Sequence, residues 1–167
     1  MNYELRLATL DDCSTLSKFK REVWETTYRG IYPDDKLDNY DYEINTNKFK
    51  KIIENEDIKL YVVLFNKKII GYFDYGKLLR PYTNFNQDIW LLYLLKDYQS
   101  LCIGKEIFLF ASRKIKENGY NEFFVSCNKY NYGAQKFYEK MGGEIIEIDE
   151  DNSDKSIPQI RYNFNIK

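Results

Sequence analysis

Histidine is absent from the 167 residues, which excludes serine–histidine and cysteine–histidine chemistry of the usual kind and removes the commonest metal ligand. Acid and base work therefore falls to tyrosine, aspartate, glutamate, lysine, cysteine or water. Three cysteines, Cys13, Cys102 and Cys127, are odd in number and lack paired spacing, so neither a disulfide framework nor a zinc motif is expected. The clearest chemical logic lies in residues 89–105. There an apolar run, Ile89-Trp-Leu-Leu-Tyr-Leu-Leu95, passes through the polar turn Lys96-Asp-Tyr-Gln-Ser100 into residues spaced for a helix. The amides of a helix's first turn lack intrahelical acceptors and the helix dipole is positive there, so such a turn holds an anion. A pyrophosphate is the expected one.

The elements that must position this turn follow from periodicity. Ile103, Ile107, Phe110, Ala111 and Ile115 mark one face of an amphipathic helix that Asn118-Gly119 ends. The run 89–95 suits a strand buried on both faces. Ahead of it the pattern predicts a strand at 3–7 and a helix entered at 9–12, with Leu16, Phe19, Val23 and Trp24 on one face. A loop marked by Gly30 and Pro33 follows, then a helix starting at Asp34-Asp35 and running through Tyr40, Phe49, Ile52 and Ile53. Residues 58–65 and 68–79 predict a hairpin turning at Asn66-Lys67, and 81–86 a polar link. Behind the central helix come a strand at 122–127, a helix opened by Asn131, a strand at 143–148, an acidic turn at 149–154 and a last strand near 157–164. This order predicts a mixed α/β fold in one domain, 1–167, with helices against a central sheet.

Two motifs carry a resemblance to a known family. Gln99-Ser-Leu-Cys-Ile-Gly104 resembles the acyl-CoA pyrophosphate loop of the GCN5-related N-acetyltransferase (GNAT) family, Gln/Arg-x-x-Gly-x-Gly/Ala, with Cys102 where the family usually has glycine. Downstream, Asn131-Tyr-Gly-Ala134-Gln-Lys-Phe137-Tyr138-Glu-Lys-Met141-Gly142 is similar to the family's Asn-x-x-Ala-x-x-Phe-Tyr-x-x-x-Gly helix. The resemblance implies a mostly antiparallel sheet whose central strands splay apart, with acetyl-CoA as co-substrate and no metal. It implies that the backbone amides of Leu101, Cys102, Ile103, Gly104 and Lys105 hold the pyrophosphate, with Gln99 at the mouth of the loop. Pantetheine would run beside Tyr93, Leu94 and Leu95, with the Leu94 N–H donating to the thioester carbonyl. Asn131 would bond the cofactor or cap its helix, and Tyr138 would protonate the departing thiolate. The aromatic stretch after the first helix resembles an acceptor-pocket connection in small-molecule, polyamine-type members, which makes Trp24, Glu25, Tyr28 and Tyr32 substrate candidates. Glu25, Asp88, Tyr28 or a water chain would supply the base.

Charge bears on the acceptor. Residues 22–57 carry ten acidic side chains against five basic ones, and 96–140 carry eight basic against five acidic. The first segment favours a cationic small-molecule amine, such as a polyamine, and the second an anionic cofactor. A net charge of −1 disfavours nucleic acid. No apolar run approaches the roughly 20 residues that span a bilayer, so a cytoplasmic protein without a membrane partner is expected. Acetylation of a protein or peptide, or acyl-CoA binding without turnover as a sensor, are the alternatives. A generic nucleotide-binding domain ranks low without a Gly-x-Gly-x-x-Gly or Gly-Lys-Ser/Thr pattern. By analogy with the family, the C-terminal strands would pair subunits into a homodimer.

Overall fold

A computed structural model describes residues 2–80 and 82–166; Pro81, expected at the head of the polar link, lies outside them. In chain order the elements are β1 (Glu4–Leu7), α1 (Cys13–Tyr28), α2 (Asp34–Asp38), α3 (Tyr42–Glu54), β2 (Ile58–Phe65), β3 (Lys68–Lys77), β4 (Gln87–Asp88), β5 (Leu92–Leu94), α4 (Ile103–Glu117), β6 (Glu122–Asn128), α5 (Tyr132–Lys140), β7 (Glu144–Ile148) and β8 (Gln159–Asn165). The sheet order is β1-β2-β3-β4-β6-β8-β7, with β5 paired to β3 off this path. All pairings are antiparallel except β4 with β6. Among the described residues, no helix is long and apolar enough to cross a membrane.

Strand β3 sits between two cores, because successive side chains of a strand point to opposite faces. Tyr72 packs with Leu16, Phe19 and Phe49 on the side of α1 and α3, whereas Phe73 and Tyr75 pack with Ile107, Phe108 and Ile115 beneath α4. Burial on both faces is therefore nearly continuous along β3.

Two sequence expectations change. The helix expected from Asp34 through Ile53 is two helices, because Asp41 adopts an extended conformation (φ −92°, ψ 111°) and its side chain accepts from the Ile44 amide at 2.8 Å. That is an N-cap, and it starts α3 afresh. The run 89–95 is not one strand either. Between β4 and β5 the amides of Trp90 and Leu91 both donate to a single oxygen of Asp74, at 3.0 and 2.7 Å, while the Asp74 amide donates to the Leu91 carbonyl. A side chain thus replaces a ladder partner, and Trp90 is turned out, half exposed, rather than buried on both faces.

This interruption opens the sheet. At its start the chain still reaches β6, with Asp88 opposite Phe124 and the Ile89 amide donating to the Phe124 carbonyl at 3.3 Å. Past it, β5 pairs with β3 alone, Leu92 opposite Phe73 and Leu94 opposite Gly71. Among the described residues its other edge has no strand partner, which is the expected splay. Gly71 permits the close approach of β5: a Cβ there would lie 2.5 Å from Leu94 Cδ2 and 2.7 Å from the Tyr93 carbonyl oxygen. Gly71→Ala should therefore push β5 away and destabilise the protein by about 1–3 kcal/mol, read as a lower urea midpoint at unchanged slope.

Candidate active site

The exposed edge of β5 carries the first set of donors. Leu95 donates its amide to the Ile70 carbonyl at 3.0 Å, so its neighbour Leu94 turns its own N–H and C=O away from β3. The Leu94 carbonyl accepts from Gln99 Nε2 at 3.0 Å, and its N–H has no acceptor among the described residues. Gln99, expected at the mouth of the pyrophosphate loop, lines the cleft with its side-chain amide bonded to the strand end.

A 3-10 turn, Lys96–Tyr98, leads to the second set. Ser100 and Cys102 both take left-handed backbone, at φ 61° and 64°, and Cys102 is the N-cap of α4. Such a conformation costs a residue with a Cβ about 1–2 kcal/mol, which accounts for glycine as the usual family choice. The Cys102 side chain is exposed and so does not fill the end of the helix. The first intrahelical bond runs from Glu106 to the Cys102 carbonyl, leaving the amides of Ile103, Gly104 and Lys105 without acceptors among the described residues. Ile103 itself is buried in the core, so it offers only its backbone.

Across a cleft of about 1610 Å³ stands α5. Asn131 Oδ1 accepts from the Ala134 amide at 3.1 Å and caps the helix. Tyr138, buried against Phe108, Phe137 and Tyr162, lines the cleft; burial raises its pKa well above the ordinary phenol value, with Cys127 and Tyr28 adding to the rise. Its proton stays in place at neutral pH.

Aromatic side chains wall the other arm. Tyr28 and Tyr32 stack at 4.3 Å between ring centroids, and the Trp24 ring stands edge-on to both at 5.9 and 5.7 Å. The Tyr28 phenol faces Tyr93 and the Asn131 side chain, and burial pushes the Tyr28 and Tyr93 phenols up. Trp24, Tyr28, Tyr32, Tyr93, Leu94 and Asn131 are thus brought to one cavity. Glu25 is not among its walls. Its carboxylate lies between Arg29 at 2.7 Å and Arg21 at 2.5 Å, which hold its pKa down at about 2, and the expectation of Glu25 as substrate contact or base is corrected. Leu95 and Leu101, expected to contact the cofactor, are also absent from the cavity wall, and the Leu95 amide is taken by the Ile70 carbonyl.

Asp88 lines the cavity where β4 ends. Burial, and then repulsion from Asp74, push its pKa from 3.8 up to about 8. Burial likewise raises Asp74 to about 7, against the opposing pull of the Leu91 and Trp90 amides. Asp74 escaped the sequence reading, although an aspartate amid Tyr72, Phe73 and Tyr75 in an otherwise apolar strand was a visible signal.

Splayed strands with free amides on one edge and a helix N-terminus at their mouth define an acyl-CoA-binding acyltransferase. The Acetyltransferase (GNAT) family matches residues 18–143, and the chain belongs to that family of acetyl-CoA-dependent N-acetyltransferases. It is 28% identical to a spermidine N(1)-acetyltransferase of Thermoplasma acidophilum over 89% of this chain and 92% of that one. It is 24% identical to a β-lysine N(6)-acetyltransferase of Methanococcus maripaludis over 84% of this chain and 45% of the other. Its structure resembles that of the PaiA N-acetyltransferase of T. acidophilum in complex with coenzyme A, with a TM-score of 0.77, 25% identity and 99% of each chain covered.

Without histidine, Asp74 and Asp88 are the side chains whose raised pKa values fall in the neutral range. A raised carboxyl pKa means that the folded state binds protons which the unfolded state has released, so stability falls as pH rises. Urea unfolding should show stability declining from about pH 4 to about pH 8, and Asp88→Asn should flatten that slope.

Proposed function

We propose that the protein transfers the acetyl group of acetyl-CoA to the primary amine of a small molecule, with Asp88 as base and Tyr138 as acid. The observation that carries this reading is the unpartnered Leu94 N–H, facing a cavity that Asp88 and Tyr138 both line. The free amides at the start of α4 suit a pyrophosphate, and the open edge of β5 suits an extended pantetheine with amide groups of its own. Acetyl-CoA supplies an activated thioester.

The chain's own groups do the rest. An acceptor arrives as an ammonium ion and must lose a proton before its nitrogen can attack. Asp88, poised near neutral pH, takes that proton directly or through one water. As the nitrogen–carbon bond forms, negative charge grows on the acyl oxygen. The Leu94 N–H is positioned to donate to it, an interaction worth about 3–4 kcal/mol in other enzymes. When the carbon–sulfur bond breaks, Tyr138 gives its phenolic proton to the thiolate and regains one from the new nitrogen–carbon centre, directly or through water, so the products are an amide, CoA and the proton held by Asp88.

Both named relatives act on amines, spermidine and β-lysine, which supports a small amine as acceptor. A polyamine is the reading that the spermidine enzyme favours. The acidic segment 22–57, expected to favour a cationic acceptor, does not contribute, because none of its acidic side chains lines the cavity.

Thiol release from acetyl-CoA with an amine panel tests the proposal. Tyr138→Phe should lower kcat by about 100-fold or more with little change in the KM for acetyl-CoA. The kcat/KM of the parent should rise with pH through a midpoint near 8, and Asp88→Asn should remove that rise. Full activity in both variants would refute the assignment.

A further inference from the structure

Three lysines line the arm of the cleft bounded by α1 and α3: Lys20, Lys48 and Lys51. Lys20 is held in place. Its Nζ donates to Asn45 Oδ1 at 2.8 Å and lies 4.5 Å from the centroid of the Trp24 ring, so its partners are neutral. Burial, with a smaller contribution from repulsion by Lys48, lowers its pKa to about 8. Among the described residues none of the three lysines has a carboxylate partner, and the buried Trp24 indole N–H beside Lys20 has no acceptor. Four acidic side chains of residues 22–57 are engaged elsewhere: Glu25, Asp34 and Asp38 by Arg29, and Asp41 at the start of α3.

That arm of the cavity is therefore cationic, while Arg80, Lys96, Lys105, Lys140 and Arg161 line its other parts; the carboxylates of the cavity are Asp88, at the end of β4, and Asp149, which follows β7. A largely buried cation without a counter-charge is costly, and an anionic ligand group relieves that cost. A polyamine with one nitrogen at Asp88 would set its next ammonium toward Lys48 and Lys51, where like charges repel. An amine with a carboxylate at its far end would meet opposite charge at both ends. Lys20 and Tyr28 both line the cavity and lie eight residues apart on α1, about 12 Å along its axis, so the cavity is long enough to set several carbons between the amine and the carboxylate.

Building on the acetyltransferase reading above, we infer that the acceptor is an ω-amino acid, its amine at Asp88 and its carboxylate on Lys20, Lys48 and Lys51. Lysine and ornithine are simple probes of this class, and cadaverine and putrescine are the same amines without the carboxylate.

The test uses the full chain with acetyl-CoA at neutral pH and low salt. Thiol release should give a kcat/KM at least about tenfold higher for lysine than for cadaverine, and for ornithine than for putrescine, equivalent to about 1.4 kcal/mol. The double variant K48Q/K51Q, changed at two exposed positions, should shrink that ratio several-fold. Equal or better use of cadaverine or spermidine, or an unchanged ratio in the variant, would overturn the inference. Calorimetric binding of Nε-acetyl-lysine and N-acetylcadaverine to the CoA-saturated protein separates this inference from the parent reading. Tighter binding of the carboxylate compound without thiol release from any amine would sustain the ligand class while refuting acetyl transfer. Equal binding would refute the ligand class whatever the turnover.

Discussion

Strand β3 serves two partners in succession, β4 at one end and β5 at the other, and Asp74 holds the interval between them. One carboxylate oxygen accepts the Trp90 and Leu91 amides, which would otherwise be left unbonded where the ladder breaks. Burying a carboxylate is costly, as its raised pKa reports, and the two amide bonds offset part of that cost. In return the chain changes direction within three residues. It leaves β6 at Asp88 and Ile89 and continues as a short strand with one bare edge. The bare edge of β5 exists because this aspartate lets the sheet open without orphaning its backbone.

The remaining chemistry is arranged around that edge by ordinary constraints. Antiparallel alternation turns Leu94 outward, and the Gln99 side chain satisfies its carbonyl while leaving its amide free. Left-handed backbone at Ser100 and Cys102 swings the chain into α4, whose first amides meet the mouth of the cleft. Asp88 and Tyr138 are both buried enough to keep protons that solvent-exposed side chains of their kinds hold less tightly. In the proposed reaction the one serves as proton acceptor near neutral pH and the other as a protonated donor.

Much of this was legible in the sequence, for identifiable reasons. The loop at 99–104 and the helix from Asn131 to Tyr138 depend on local backbone geometry and on fixed spacing along one helix face, which linear order preserves. The break between β4 and β5 was not legible from residues 89–95, because its cause, Asp74, lies on another strand. The helix break at Asp41 was missed because continued apolar spacing outweighed a single capping residue. Charge misled most. Glu25, Asp34 and Asp38 are close in sequence to Trp24 and Tyr28, yet the Arg29 guanidinium gathers all three away from the cavity, while Lys20, Lys48 and Lys51 line it. Net charge along a segment says little about which way its side chains face.

Amide hydrogen exchange of the protein with and without acetyl-CoA, resolved residue by residue by NMR, tests most directly whether the bare edge of β5 and the start of α4 receive the cofactor. Saturation should slow exchange at Leu94 and at Ile103, Gly104 and Lys105, with β1 and β7 little affected. Tight binding of acetyl-CoA that leaves those four amides exchanging at their original rates would contradict the assignment of the cleft.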